Sequence, residues 1–218
     1  MSAGPAGSFA SRLLSRTWLS SSAFEITLER PAGFTFEPGQ CIRLVEGAEE
    51  REYSLTNAPC EPRLSLCVRQ VDHGHVSGLL ASAEPGRLFA CHGPHGYFVF
   101  RDSPRPAVFV ATGTGVAPFV SMARAGVSGF TLLHGVQRPE DLYFEAELRR
   151  AAGCYVACVS RSPGAGHFPG RVTAWAAGSL PPQPHDFYLC GNRDMIRDCT
   201  ILADTRFPGS FVSTEVFH

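Results

Sequence analysis

The sequence predicts two domains, an N-terminal antiparallel β-barrel and a C-terminal α/β domain built on a parallel sheet. Three observations predict it. Short segments of the first hundred residues alternate apolar and polar with a period of two, as half-buried strands do. The stretch "RDSPRP" (Arg101 to Pro106) then punctuates the chain with proline. After it, continuous apolar runs alternate with helical patterns, the signature of strands buried on both faces and joined by helical crossovers. The expected domains are 1–101 and 107–218, with a linker at 102–106.

The elements follow in order. "SFASRLLSRTWLS" reads as a first strand. "FEITLE" and "RLSLCVR" alternate strictly, while "CIRLV" and "REYSL" are shorter strands set off by Pro-Gly and Gly-rich turns. One helix is expected at "HVSGLLASA". Many short antiparallel strands in this length close most simply as a small barrel. In the second half the expected elements are strand "AVFVAT", helix "APFVSMARA", strand "FTLLHG" and helix "PEDLYFEAELRR". They continue with strands "YVACVS" and "DFYLCG", helix "RDMIRDCTILAD" and a closing strand "SFVSTEVF".

The chain has 218 residues, 44% hydrophobic and 18% charged, and a net charge of −1. That balance fits a globular protein and gives no global basic field for nucleic acid. All 19 basic residues are arginine, so any phosphate contact from a basic side chain is a planar, permanently charged fork. No apolar run has the length of a membrane span. The segment before Glu25 lacks acidic residues, and it reads as a short tail and first strand rather than a transit peptide. None of the eight cysteines forms a CxxC pair, so reduced thiols in a cytoplasmic protein, and no metal site, are expected.

In a parallel sheet of this kind, ligands bind beyond the carboxyl ends of the strands. The first such end carries "TGTGVAP", Thr112 to Pro118, where Gly113 and Gly115 admit close backbone approach and the next helix offers free N–H groups to an anion. Read alone, it serves equally as a plain Gly-rich turn. Ser160 and Arg161 in "VSRSP" can hold a phosphate or form a solvated turn. Cys190 and Gly191 in "LCGN" sit where a strand meets its loop; an inert buried cysteine is the simpler reading. Glu215 and Phe217 close the last strand at the same edge. In the β half, Gly74 to Ser77 starts a helix that either binds phosphate or is capped by Ser77. Arg51 and Tyr53 share one face of a strand, and Ser54 points to the other.

Together, "REYSL", "GHVSGLL", "GPHGYF", "VFVATGTGVAPF", "VSRSP", "LCGNRDMI" and "TEVF" resemble, in order and over nearly the whole chain, the ferredoxin–NADP reductase family of flavoproteins. The resemblance implies that Arg51 pairs with the pyrophosphate of FAD, Tyr53 stacks on the isoalloxazine and Ser54 offers its hydroxyl near flavin N5. Gly74, His75, Val76 and Ser77 would form a second pyrophosphate contact, which favours FAD; FMN, which a Y-S-L-x-N stretch also accompanies, is the alternative. Leu55 and Thr112 join the flavin set, and Phe217 would cover the second flavin face. Gly113, Thr114, Gly115, Val116 and Pro118 would cradle the nicotinamide dinucleotide. Ser160 and Arg161 match the 2′-phosphate pair and point to NADP; Arg171 reaches the adenine-side phosphate or starts a helix. Cys190 and Gly191 would flank the nicotinamide, with Asn192 and Met195 beside them. Ser54, Cys190 and Glu215 form the expected catalytic set.

Two departures stand out. One residue, His218, follows the closing aromatic, and Arg138 falls one position later than the pattern expects, so Arg138 is left unassigned. The implied function is a monomeric reductase that moves hydride between NADPH and bound FAD and exchanges single electrons with a separate ferredoxin or flavodoxin. A reductase component of an oxygenase is a close variant. The alternatives are a flavin-binding subunit active only in a complex, and a reductase that uses free flavin as substrate.

Overall fold

A computed structural model describes residues 7–71 and 74–217. By internal contacts the chain divides into two compact units, Met1–Phe100 with Ala117–Ala125, and Arg101–Val116 with Gly126–His218. His218 lies outside the described residues.

The first unit contains β1 (Gly7–Trp18), β2 (Ala23–Glu29), β3 (Cys41–Glu46), β4 (Glu49–Ser54), β5 (Arg63–Arg69), α1 (His75–Ser82), β6 (Leu88–His95) and α2 (Ala117–Arg124). Its strands form one antiparallel sheet in the order β4-β3-β6-β1-β2-β5. The sheet curls until its edges meet at the bridge between Leu55 and Leu66, as the expected small barrel requires. Strand β1 makes the curl possible. Its first half pairs with β6 and its second half with β2, and the β2 register shifts between Leu13 and Ser15, a bulge that bends the strand from one partner to the next. The period-two pattern then fills the interior. Phe24, Ile26 and Leu28 of β2 meet Leu64, Leu66 and Val68 of β5 at zero exposure, each contributing about 1.5–3 kcal/mol of burial. Val76 and Leu80 of α1 join the same core.

The second unit contains β7 (Ala107–Thr112), a 3-10 turn (Gly113–Val116), β8 (Thr131–Val136), α3 (Glu145–Ala151), β9 (Cys154–Val159), β10 (Phe168–Pro169), α4 (Val172–Ser179), β11 (Asp186–Gly191), α5 (Arg193–Arg206) and β12 (Phe211–Val216). All its pairings are parallel, in the order β10-β9-β8-β7-β11-β12. The order reverses between β7 and β11. Every residue of β11 is buried, as a central strand demands. Arg105 pairs with the buried carboxylate of Asp186, and the Arg101 amide donates to Tyr188 Oη at 3.1 Å, which ties the proline-rich stretch to β11.

Several local expectations change. The helix expected over "PEDLYFEAELRR" is broken into a short 3-10 turn (Pro139–Asp141) and α3, because Phe144 takes a left-handed conformation (φ 57°) between them, and such a residue ends a right-handed helix. Leu142 and Tyr143 are buried at the break. Strand β6 was not expected; "LFACH" lacks β-branched residues. Neither was α4, whose eight residues include Gly178 and fall below the length at which periodicity is legible.

Candidate functional site

In the first unit, strand alternation puts Glu49, Arg51 and Tyr53 on one face of β4, opposite Glu46, Leu44 and Ile42 of β3. Tyr53 packs against the barrel core, and burial pushes its phenol up to about 12, so it stays neutral. Arg51 is exposed; its guanidinium lies 3.3 Å from the Glu49 carboxylate and donates to the Glu50 carbonyl at 2.8 Å. Ser54 points to the other face and is buried, as is Leu55.

The segment after Ser54 is held by a buried polar network. Asn57 Oδ1 accepts from the Ser65 amide at 2.8 Å and Thr56 Oγ1 donates to Glu25 at 2.9 Å. From α2, Ser121 Oγ donates to the Asn57 carbonyl at 2.7 Å, and Arg124 donates to the Thr56 carbonyl at 3.2 Å while lying 3.7 Å from Glu25. Ser121, Thr56 and Asn57 have zero exposure. "Leu-Thr-Asn-Ala-Pro" therefore serves as a seat, fixing where the strand bearing Tyr53 and Ser54 ends. Sequence reading missed Ser121, Arg124 and Glu25, because a serine and an arginine on a helix face carry no signal of their own.

Helix α1 opens at Gly74 with no side-chain cap. Ser77 does not cap it; its hydroxyl donates to the Gly74 carbonyl and accepts from the Val71 amide, both at 3.3 Å. A Cβ at Gly74 would lie 2.6 Å from Ser77 Oγ. The Gly74 amide donates to the Val71 carbonyl at 2.9 Å, and among the described residues no side chain accepts from the amides of His75, Val76 and Ser77, the first turn of α1, a fit for a phosphate.

In the second unit the two strand ends at the reversal of sheet order interlock. A Cβ on Gly115 would lie 2.7 Å from both Cys190 C and Gly191 Cα, and a Cβ on Gly191 (φ 131°) would lie 2.9 Å from the Thr112 carbonyl oxygen. Only glycine permits both approaches. Thr112 Oγ1 accepts from the Asn192 amide at 2.8 Å. Gly113, Thr114, Gly115 and Val116 form the 3-10 turn, and Pro118 sits in the first turn of α2, where no N–H is needed. Asn192 caps α5, accepting from Asp194 and Met195 amides. Met195 is buried in the core under the sheet, among Val108, Ile196 and Cys199.

Cys190 and Glu215 are register partners on β11 and β12 and share one face. Burial, and then the Glu215 charge, push the Cys190 thiol well above its usual range, so it stays an S–H. The Phe217 amide donates to the Gly191 carbonyl at 2.9 Å, which ties down the end of the last strand.

At the carboxyl edge of the outer strands, Ser160 and Arg161 follow β9. Their amides donate to Val136 at 3.1 Å and Gln137 at 2.7 Å. Arg138, Arg161 and Arg171 each stand two residues beyond the ends of β8, β9 and β10. All three are exposed. No carboxylate pairs with Arg161 or Arg171 among the described residues, and Arg138 has only an exposed contact with Glu140 at 3.7 Å. Three adjacent strand ends thus offer guanidinium forks, and Arg138, unassigned from the sequence, is one of them.

Two domain-family models match the chain. The model of the oxidoreductase FAD-binding domain matches residues 12–100, and that of the oxidoreductase NAD-binding domain matches residues 109–200. The chain is 36% identical over 216 residues to ferredoxin–NADP reductase B of Sorangium cellulosum, covering 86% of this chain and 88% of that one. It is 32% identical over 175 residues to the toluate 1,2-dioxygenase electron transfer component of Pseudomonas putida, covering 74% of this chain but 52% of that one. Among solved structures, a ferredoxin NADP+ reductase from Neisseria gonorrhoeae with bound FAD and NADP has the same fold. Its TM-score is 0.82 at 23% identity, over 96% of this chain and 98% of that one. None of the described helices is long and apolar enough to cross a membrane.

Proposed function

The chain belongs to the ferredoxin–NADP reductase family of flavoproteins, and from that premise we propose that it is an NADPH-dependent reductase. It moves hydride between NADPH and bound FAD, and exchanges single electrons with a separate ferredoxin or flavodoxin. The observation that carries the NADPH reading is the edge where Ser160 and Arg161 stand beside Arg138 and Arg171. An NADH site more typically presents a carboxylate to the ribose 2′-hydroxyl, whereas guanidinium forks suit a 2′-phosphate.

Each residue has a task. Arg51 would leave Glu49 to meet the FAD pyrophosphate, and the turn from Gly74 through His75, Val76 and Ser77 would offer it the amides at the start of α1. Tyr53 would offer its ring to the isoalloxazine, with Leu55 of the same flavin-lining stretch packed behind it in the barrel core; Ser54 would offer a hydroxyl near flavin N5, and Phe217 would cover the other face. Thr112, whose Oγ1 accepts from the Asn192 amide, would belong to the flavin set, while Gly113, Thr114, Gly115 and Val116, followed by Pro118, would cradle the dinucleotide. Cys190, kept as a neutral thiol, and the side-chain-free Gly191 let the nicotinamide approach; Asn192 and Met195 shape the start of α5 beside them. Glu215 would place a carboxylate beside Cys190 at the reacting centre. FAD, when bound, supplies the conversion between two-electron and one-electron chemistry. We place the protein in the cytoplasm as a monomer, with the two domains bounded at 101 and 107.

The test is anaerobic stopped-flow reduction of the FAD-loaded protein by NADPH and by NADH, in wild type and Arg161→Ala. The wild type should favour NADPH, and the variant should lose about tenfold or more of that preference, the scale of a charged hydrogen-bond pair. Equal rates with both dinucleotides in the wild type would refute the NADPH reading. A second reading, an oxygenase as final acceptor, is favoured by the likeness to the toluate dioxygenase component. Electron delivery to a ferredoxin-free oxygenase would support it.

A further inference from the structure

Gln40 immediately precedes β3 and has no part in the reaction described above. It is a buried amide whose main chain and side chain are both engaged. Its N–H donates to the Glu37 carbonyl at 3.0 Å and its Oε1 accepts from the Glu37 amide at 2.9 Å, so the residue closes the turn of "FEPGQ" twice. Its carbonyl accepts from the Leu55 amide at 3.0 Å. That bond adds one rung to the β3–β4 ladder beyond the pairs Ile42–Tyr53 and Cys41–Ser54. Its Nε2 donates to the Gly96 carbonyl at 3.0 Å, in the stretch "GPHGYF".

The bond to Gly96 stands where the sheet is weakest. On its other side β3 pairs with β6, and the register slips there: Arg43 lies opposite His92 but Cys41 lies opposite His95. Two steps along β3 are matched by three along β6, and such a bulge disrupts the ladder. Past Cys41 and His95 the side chain of Gln40 supplies the link that backbone pairing no longer supplies. The chain is also tightly packed at this point, since a Cβ on Gly39 would collide with the Phe98 carbonyl oxygen. Gln40 therefore joins three pieces of chain: the turn at Glu37, the loop at Gly96, and the end of the strand that bears Tyr53 and Ser54. We propose that Gln40 is a positioning residue for flavin reduction, fixing through the Leu55 rung where Tyr53 and Ser54 stand against the isoalloxazine. The proposal rests on the reading of Tyr53, Ser54 and Leu55 as the flavin-lining stretch.

The test is anaerobic stopped-flow reduction of the FAD-loaded protein over a range of NADPH concentrations, which separates the limiting rate from the apparent Kd. Thermal unfolding and FAD content check the fold. Gln40→Met keeps the volume and removes both side-chain bonds. Its limiting rate should fall about tenfold, as a displacement of a fraction of an ångström at reacting groups does, with the apparent Kd for NADPH unchanged. Ile26→Val loosens the same barrel core away from this ladder; it should lower the unfolding temperature and leave the limiting rate within about twofold of wild type. Gln40→Glu adds a signature that loosened packing does not produce. Its neutral carboxyl can repeat both bonds, while its charged form has no proton to give Gly96. Relative to wild type at the same pH, it should be slow near about pH 9 and recover toward about pH 6 as burial favours the neutral form. The ionisable residues beside its partners, Glu37, Cys41 and His95, are the same in wild type, which is the reference at every pH. If Gln40→Met does not hold FAD, the Gln40→Glu series decides alone. A Gln40→Met limiting rate equal to wild type overturns the proposal, as does an equal fall in Ile26→Val or a Gln40→Glu rate that stays low across that range. A wild-type flavin that neither NADPH nor NADH reduces overturns the functional reading itself, and this proposal with it.

Discussion

Replacing Gly115 by alanine inserts a Cβ between the two strand ends at the sheet reversal. It would lie 2.7 Å from Cys190 C and from Gly191 Cα, where carbon atoms rest at about 3.5–4.0 Å. Both neighbours are backbone and cannot rotate away. The turn and the β11 end must therefore part by roughly 1 Å, at an overpacking cost of about 1–3 kcal/mol. A displacement of that size at a site that orients reacting groups costs on the order of a hundredfold in rate. Flavin reduction by NADPH in stopped flow should slow accordingly, while FAD content is retained, because Arg51, Tyr53 and the α1 turn are untouched. Gly78→Ala is the control. Its Cβ meets nothing within 4 Å, and in helix α1 it should stabilise by about 0.5–1 kcal/mol. A Gly115→Ala variant that binds and is reduced within about twofold of wild type would refute the interlock.

Ser121→Ala should destabilise the first unit by about 1–3 kcal/mol in urea unfolding, because it strips a buried Asn57 carbonyl of its donor; an unchanged midpoint would count against the seat. Burial lowers His134 from 6.5 to about 4. The unfolded chain therefore binds the extra proton between those values. The stability this group contributes is present in full above pH 6.5 and is lost as pH falls toward 4, a loss of up to about 3 kcal/mol. Unfolding series from pH 7 to pH 4.5 should show a shallower acid loss in His134→Leu than in wild type. Identical slopes would mean that the ring does not titrate as its burial requires.

The alternation of Phe24, Ile26 and Leu28 and the apolar run of β7 each obey a local rule, so both could be read directly. The candidate residues follow instead from the resemblance that the seven ordered motifs carry, since a Gly-rich turn or a Ser160-Arg161 pair has no single meaning by itself. Other features depend on what lies opposite in space. The broken helix before α3 turns on burial of Leu142 and Tyr143. Ser121 and Arg124 look like any helix surface until Asn57 and Thr56 meet them. His134 reads as core until the sheet register sets it between two alanines and opposite a tyrosine hydroxyl. Sequence alone determined the two-part architecture and the chemical vocabulary, because periodicity and turn chemistry are local. Tertiary structure alone decided which polar groups are buried and who satisfies them, because those pairings join residues far apart in the chain.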